Sequence, residues 1–568
     1  MLRNNGSIKG INLNNNENLL VQFADDTTIC LDGSEQTFRE AINTITRFAR
    51  MSGLKINKQK TQCIFIGSLK NSNIRYMRDE NFVWNPGTWK ILGIWFSTDT
   101  HTIVAKNYEN KLYEIRNILS KWKQRKLTPY GKITIIKTLA ISKIIHLLIN
   151  LPDPKKQFLD ELDNELIRFL WDYKPNRIKK CIVNQEYEKG GLKMCNVKNM
   201  LSTLKVSVFK KLSTNEVFNR FTLNLYPELE QIDNFGAEYC KKIALDFDNP
   251  FWADVMKHIN TLHEHCISEN IEELLAEPIF FNNSIVRDHK YIYDRQWANN
   301  GVLFVHQLLN NEVFLTFDQF CNKYSNINTN FLQFHGIVRA IKRYIRSKNF
   351  NLEAFKGSKH KVSFALGKGN KYICKILNES DLQPAAVIKW NSIFQNLQWN
   401  KIFQGIYITT GDVQLRWFQF RLVHRLLPTQ RYLYLRKIVA DPVCNFCDSE
   451  EQTICHLFFE CDHIRKFWNE LVMDFKRKCN HCRNLDLSIE FILFGHTSTF
   501  HSDRIFSMII LLAKFFIYKN KLNNTIPAYN HFILYLKNRY QIENYLAKVK
   551  NSVDRFHIDW FVYKSIIE

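Results

Sequence analysis

The sequence predicts an α+β protein, in which a small antiparallel β region at the N-terminus precedes a long and mainly α-helical remainder. Residues 19–31 hold two short apolar runs on either side of Ala24-Asp25-Asp26, the pattern of a β-hairpin with two carboxylates near its tip. Beyond about residue 105, apolar residues recur at helical spacing. With 568 residues, of which 45% are hydrophobic, the chain is long enough for several folded domains.

The adjacent carboxylates of Asp25 and Asp26 are the first candidate site. Two neighbouring carboxylates repel each other unless a cation or hydrogen-bond donors share the site. Mg²⁺ takes oxygen ligands of this kind, and polymerases use two such ions to activate an attacking hydroxyl and stabilise the leaving phosphate. On the dipeptide alone, a solvated turn is the commoner explanation, since Asp is frequent in turns.

The charge balance points to a polyanionic partner. Lys and Arg number 78 against 55 Asp and Glu, a net charge of +23, and nucleic acid is the commonest partner of such chains. The fourteen cysteines form no disulfide-like pattern, and the polar, Asn-rich start is not a secretory signal, so we expect reduced, intracellular thiols. The longest apolar run, 505–513, ends at Lys514 and is too short to span a bilayer, so no membrane association is predicted.

Helical periodicity resumes directly after the hairpin. Ser34 is a suitable N-cap, and Gly53 is expected to end the helix. The apolar positions predicted to face the hairpin are Phe38, Ile42, Ile45, Phe48 and Ala49. A short basic run follows, with Lys55, Lys58 and Lys60.

Residues 106–143 form the most basic segment, with ten Lys or Arg against two Glu. Thr128-Pro129 predicts a helix start, and Lys132 beside the apolar stripe is expected to reach outward while its stem covers apolar surface. Upstream, Trp122 lies among four cations that could contact phosphates: Lys121, Lys123, Arg125 and Lys126. Trp122 could stack on a base, but an anchoring role in the helix is the favoured interpretation.

The second candidate site has the spacing C-x2-C-x8-H-x4-C, formed by Cys444, Cys447, His456 and Cys461. Two cysteines separated by two residues in a tight loop can bind one ion, and a later His and Cys can complete a tetrahedral zinc site. The alternative is three buried thiols and a core histidine. Cys455 and His463 lie beside the chosen ligands and could substitute for them, whereas the pair Cys479 and Cys482 lacks a completing pair.

Several ordered segments resemble the reverse transcriptases of LINE-type retrotransposons, which lack long terminal repeats. Phe23-Ala24-Asp25-Asp26 resembles their catalytic hairpin, and 52–61 and 89–94 resemble the later palm motifs in the same order. Residues 121–132 resemble their thumb, and the segment from Leu415 to Trp468 resembles their C-terminal zinc-binding domain.

The resemblance implies a domain order along the chain: a partial palm at 1–104, a thumb at 105–195, a helical connector at 196–410, a zinc-binding domain at 411–475 and a helical region at 476–568. It implies that Asp25 and Asp26 hold Mg²⁺, and that the thumb holds a template–primer duplex of RNA and DNA through Lys121, Lys123, Arg125, Lys126 and Lys132. It also places Lys55, Lys58 and Lys60 near the phosphates of the incoming nucleotide, although an ordinary solvated edge explains them equally well.

In the family, the fingers and the strand with the first catalytic Asp come before the segment that resembles residues 1–11. We therefore expect an N-terminally truncated RNA-directed DNA polymerase that is inactive alone, located in the nucleus and cytoplasm. The alternative is a non-enzymatic, zinc-containing module that binds RNA or DNA, a remnant of such an element. A third, more remote interpretation is a zinc-dependent interaction scaffold.

Overall fold

The computed structural model describes residues 1–13, 16–23, 26–379, 382–479, 485–495 and 501–567. It confirms the predicted α+β class, because helices dominate and the strands form only two-stranded pairs. The strands are Ile11–Leu13, Asn16–Asn18, Leu20–Phe23, Asp26–Ile29, Gln62–Cys63, Val83–Trp84, Trp89–Ile91, Ile94–Phe96, Val286–Arg287, Lys290–Tyr291, Leu309–Asn310 and Val313–Phe314. Neighbouring strands pair antiparallel, except for the parallel pair of Gln62–Cys63 with Val83–Trp84.

The α-helices occupy most of the described chain beyond residue 100. They are Glu35–Ser52, Thr100–Tyr108, Lys111–Lys123, Pro129–Ile135, Ser142–Asn150, Lys156–Leu170, Lys180–Asn184, Val197–Thr214, Glu216–Leu225, Ala237–Asp246, Pro250–His265, Ile271–Leu275, Arg295–Asn299, Phe317–Lys323, Phe331–Ser347, Lys361–Lys368, Asn370–Leu377, Ala385–Asn391, Trp399–Thr409, Val413–Val423, Gln430–Tyr434, Asp462–Lys478, Ile489–Phe494, His501–Leu522, Tyr529–Val549, Val553–Trp560 and Lys564–Ile567. Wider π-helical turns occur at Ile136–Ala140 and His456–Glu460.

The chain divides into two compact units, each built from three separate segments. The first unit consists of Met1–Ile118, Ala140–Leu162 and Val197–Leu377, and the second of Leu119–Leu139, Asp163–Asn196 and Asn378–Glu568. The first unit holds all the strand pairs and two large apolar cores, one centred on Trp297 and Phe334 and the other on Trp252 and Ile259. In the second unit, Trp390 packs edge-on against Phe494.

The predicted hairpin is present in the first unit. Leu20–Phe23 pairs antiparallel with Asp26–Ile29, in a register that places Leu20 opposite Ile29 and Phe23 opposite Asp26. Ala24 and Asp25 lie outside the described residues. The following helix begins where predicted, since the Ser34 hydroxyl accepts a hydrogen bond from the backbone N–H of Thr37, and it ends at Gly53 with a φ of 76°.

The face that this helix buries differs from the predicted one. The buried residues are Thr37, Ala41 and Thr44, and Ala41 packs in one small core with Ile8 and Leu19. Of the predicted stripe, Phe48 is exposed and the other members are only half-buried. Phe38 packs instead against the rings of Tyr76, Phe82 and Trp84, with centroids 5.2 to 6.0 Å away.

The predicted helix start at Thr128-Pro129 is confirmed. The Thr128 hydroxyl accepts a hydrogen bond from the Gly131 backbone N–H, and Pro129 occupies the first helical position. Among the described helices, no single one is both long and apolar enough to cross a bilayer, although Pro129–Ala140 and Ser142–Asn150, bent by 49°, meet the length and composition limits as a pair.

Candidate metal centre and nucleic-acid interface

The four predicted zinc ligands converge on one point in the second unit. The ligand atoms of Cys444, Cys447, His456 and Cys461 all lie within 4.8 Å of one another. The Cys447 sulfur is 3.4 Å from Nε2 of His456. All but Cys447 are buried, so the cluster faces the interior with one sulfur towards the surface. Within the described residues, Cys455 and His463 are outside this group.

The first cysteine pair lies in a tight turn between two short extended segments. Val443 and Glu451 form an antiparallel bridge, and the Cys444 N–H donates to the Glu450 carbonyl at 2.8 Å. Asp448 ends the turn in the left-handed region, with a φ of 51°. This geometry turns both sulfurs to the same side of the loop.

Polar hydrogens point at both sulfurs of this pair. The Cys444 sulfur accepts from the Phe446 backbone N–H and from Nε2 of Gln452, each at 3.5 Å. The Cys447 sulfur accepts from the Ser449 hydroxyl at 3.2 Å. Donors of this kind stabilise thiolates, the form in which cysteine binds a metal.

His456 and Cys461 meet because the chain between them makes a wide turn. In a regular α-helix, residues five apart are separated by about 140° around the axis and cannot point at one ion. Here the Cys461 N–H donates to the His456 carbonyl at 3.1 Å, an i to i+5 bond of the π-helical type. Cys461 is also the N-cap of the helix Asp462–Lys478, where the helix dipole favours a thiolate.

A hydrogen bond within the cluster shifts the pKa values of two of its cysteines in opposite directions. The pKa of Cys444 is lowered to about 4 because Cys461 donates a hydrogen bond to it, and the pKa of Cys461 is raised by the same bond. Burial raises the pKa of Cys447, but hydrogen bonds from the Ser449 hydroxyl, from the backbone N–H groups of Glu450 and Ser449, and from His456 outweigh burial and lower it. Three sulfurs and an imidazole that share protons in this way form a donor set that suits a tetrahedral Zn²⁺.

The second nitrogen of the histidine ring faces a carboxylate. Nδ1 of His456 lies 2.9 Å from Oε2 of Glu450, within ion-pair distance but off the line of a hydrogen bond. Zinc-bound histidines commonly place such a group behind the ring, where it fixes the tautomer. Four protein ligands would close the coordination shell, so the geometry suits a structural ion without an activated water.

Of the two hairpin carboxylates predicted to bind Mg²⁺, only one lies in the described residues. Asp26 is exposed at the first position of its strand, opposite Phe23, whereas Asp25 lies outside the described residues. Lys55, Lys58 and Lys60 are all exposed, and Lys58 pairs with Glu80. The roles assigned to these residues stay predictions.

Four predicted phosphate-binding residues form an exposed basic surface in the second unit: Lys121, Lys123, Arg125 and Lys126, hereafter the 121–126 cluster. In the described part of the chain, no carboxylate lies within 4.0 Å of their charged groups. Tyr173, which no sequence pattern indicates, lies beside this cluster with a φ of 59°. Its ring is 4.3 Å from Nζ of Lys123 and 5.5 Å from the guanidinium carbon of Arg168.

The expectation that Lys132 reaches outward is wrong. Its side chain is only 3% exposed, and Nζ donates to the Leu170 carbonyl and pairs with Asp172. These partners come from a distant part of the sequence, and together they satisfy the ammonium group in the interior. Lys132 therefore belongs to the core and not to the exposed basic surface.

Two family models match the chain, one over each candidate metal site. Residues 5–96 match the model described as reverse transcriptase (RNA-dependent DNA polymerase), and residues 388–468 match the model described as zinc-binding in reverse transcriptase. The first range contains the hairpin with Asp25 and Asp26, and the second contains all four residues of the zinc cluster. The chain is therefore reverse transcriptase-like, with a zinc-binding region of the type found in such proteins.

Proposed function

We propose that this chain is part of an RNA-directed DNA polymerase of a LINE-type retrotransposon. The observation that carries the proposal is the assembled zinc cluster inside the 388–468 match, on the same chain as a reverse-transcriptase match that forms the expected hairpin. The order of the palm motifs and the thumb-like segment supports the LINE type.

Within this proposal, Asp25 and Asp26 supply carboxylates to paired Mg²⁺ ions. Two such ions activate the 3′-hydroxyl of the primer and neutralise the charge that develops on the transferred phosphate. The exposed position of Asp26 beside the hairpin tip leaves its carboxylate free to take part. Two-metal catalysis needs ligands from neighbouring strands, and the resemblance identifies only this pair in residues 1–568, so we propose that the chain is inactive alone.

The 121–126 cluster supplies contacts to the template–primer duplex. Its cations face solvent without acidic partners in the described residues, which leaves them available to phosphates. Tyr173, placed beside Lys123 and Arg168, adds an aromatic ring at the same surface. These observations also favour the second candidate, a zinc-containing module that binds nucleic acid without catalysis.

A binding assay and a polymerase assay together separate the candidates. Both the enzyme and the module should bind an RNA–DNA hybrid with an affinity that falls steeply as salt rises, whereas a protein-interaction scaffold should not. Only the enzyme should incorporate nucleotides when a separately expressed N-terminal half of a LINE-type reverse transcriptase supplies the remaining palm carboxylate.

A further inference from the structure

The helix Phe331–Ser347 carries four exposed cations along one face: Arg339, Lys342, Arg343 and Arg346, hereafter the 339–346 stripe. Their spacing of i, i+3, i+4 and i+7 places them within an arc of about 100° at 3.6 residues per turn. The helix contains no Asp or Glu. It lies in the first unit, outside both ranges that match a family model.

The opposite face of this helix is buried in the largest core of the first unit. Ile337, Val338, Ile341 and Ile345 are each no more than 5% exposed. The side of the helix opposite the stripe is thus occupied by the core, whereas Phe331 and Leu332 in the first turn are exposed. A membrane-surface helix would instead need its apolar face free to enter the lipid.

Several exposed cations on other helices of the same unit are paired with acidic side chains. Lys241 pairs with Glu238 at 2.6 Å, and Lys257 pairs with Asp254 at 3.0 Å, each three residues earlier on its own helix. Within the described part of the chain, no carboxylate lies within 4.0 Å of the four stripe residues. Four uncompensated charges on about two turns of helix repel each other, so a bound polyanion would stabilise them.

A fifth cation extends the stripe towards the start of the helix. The guanidinium of Arg287 lies against Gly336, where a Cβ would meet Nη1 at 3.2 Å. The glycine therefore leaves room for the arginine to lie along the helix. Arg287 has only a loose partner, Asp288, at 3.7 Å, and both side chains are mostly exposed.

We infer that the 339–346 stripe binds the phosphate backbone of a nucleic acid. From Arg339 to Arg346 the helix rises about 10 Å, which matches the axial rise of about three nucleotides at 3.4 Å each. Three of the four residues are arginines, whose planar guanidinium groups can hold phosphate oxygens in pairs. The stripe shares no residue with the 121–126 cluster or the zinc cluster, and the inference does not depend on polymerase activity.

The test compares two full-length quadruple variants with equal loss of charge. The first replaces the stripe with glutamine (R339Q, K342Q, R343Q and R346Q). The control replaces four ion-paired cations of the same unit (R116Q, K198Q, K241Q and K257Q), whose partners are Glu161, Asp160, Glu238 and Asp254. Binding to a 20-base-pair RNA–DNA hybrid and to the matching DNA duplex is measured over a range of salt concentrations.

The stripe variant should reduce the magnitude of the negative slope of log affinity against log salt by about three, at 0.7–0.9 per lost phosphate contact. The control should reduce it by less than one. Thermal unfolding should be unchanged, because the replaced side chains are exposed. An unchanged slope in the stripe variant, or an equal loss in both variants, would overturn the proposal. The proposal would also be overturned if the stripe variant lost binding to vesicles of phosphatidylcholine and phosphatidylserine but still bound the hybrid, since that result would assign the stripe to a membrane surface.

Discussion

Oε2 of Glu450 lies 2.9 Å from Nδ1 of His456, on the side of the imidazole ring away from the Cys447 sulfur. The same segment connects the two halves of the zinc cluster, because the Glu450 carbonyl accepts the Cys444 N–H. Glu450 thus contacts one ligand through its backbone and a second through its side chain. A short loop of this kind can couple the conformation of the first cysteine pair to the orientation of the histidine ring.

Replacing Glu450 with glutamine should weaken zinc binding by about tenfold, because removing a partner behind a zinc-bound histidine typically costs 10–100-fold and this carboxylate is largely exposed. Competition with a colorimetric chelator measures the affinity. Glu451→Gln is the matched control, since its side chain pairs with Arg431 instead. Equal affinities for the two variants would show that Glu450 does not act on the ligand set.

The native chain should contain about one zinc per molecule, and Cys444→Ser should lose it. Because folding and metal binding are coupled in small sites, a chelator should expose residues near 440–470 to proteolysis. Metal analysis and limited proteolysis check both points. Cys455→Ser serves as the control, since Cys455 neighbours His456 but lies outside the cluster. A zinc-free native chain, with Cys444→Ser as stable as the wild type, would return these cysteines to the role of core residues.

Replacing the 121–126 cluster with alanine should weaken RNA and DNA binding. It should also reduce the magnitude of the slope of log affinity against log salt by about three. Fluorescence anisotropy with a labelled hybrid measures the slope. Lys132→Met provides an informative comparison. It removes a nearby cation that is buried against Leu170 and Asp172, so it should lower the unfolding temperature and leave the slope unchanged. If the alanine variant kept the wild-type slope, the cluster would be only a solvated face.

Because of Lys514, the free energy of unfolding of the second unit should rise with pH. Its ammonium is buried against Oε1 of Gln419 and the Leu493 carbonyl, and burial lowers its pKa to about 7. Between this value and 10.5, the unfolded chain binds a proton that the folded chain lacks, so the free energy of unfolding rises with pH.

Urea unfolding at pH 7 and pH 9.5 tests the sign of this effect. The rise should be smaller in Lys514→Met by about 3 kcal/mol, given up to 1.36 kcal/mol per pH unit within the window. Lys519→Met is the control, because Lys519 is exposed on the same helix. A rise in Lys514→Met as large as in wild type would contradict the burial of a neutral lysine.

The features that the sequence predicted well are those encoded by neighbouring residues. The C-x-x-C turn and the hairpin depend on local spacing and on alternation over a few positions. The H-x4-C spacing also predicts a widened turn, because residues five apart in a regular α-helix cannot face the same ion. The sequence indicates a role for Glu450 only weakly, through the position of an acidic residue between the two ligand pairs.

The features that the sequence did not predict depend on partners that are distant in the chain. Lys132 resembles its exposed basic neighbours, and only the fold brings Leu170 and Asp172 to its ammonium group. Likewise, nothing near Tyr173 in the sequence indicates that Lys123 will lie over its ring. The same is true of the helix Glu35–Ser52, where Phe38 contacts the rings of Tyr76, Phe82 and Trp84 from a later part of the chain.

The most direct test of the proposed function is extension of a DNA primer on an RNA template in the presence of Mg²⁺. We predict no extension by residues 1–568 alone. Adding a separately expressed N-terminal half of a LINE-type reverse transcriptase, shown by co-elution to bind the chain, should restore extension. That activity should disappear with Asp25→Ala or Asp26→Ala and persist with Asp32→Ala. A co-eluting complex that holds the primed template but incorporates nothing, or that extends equally well with Asp26→Ala, would contradict the account.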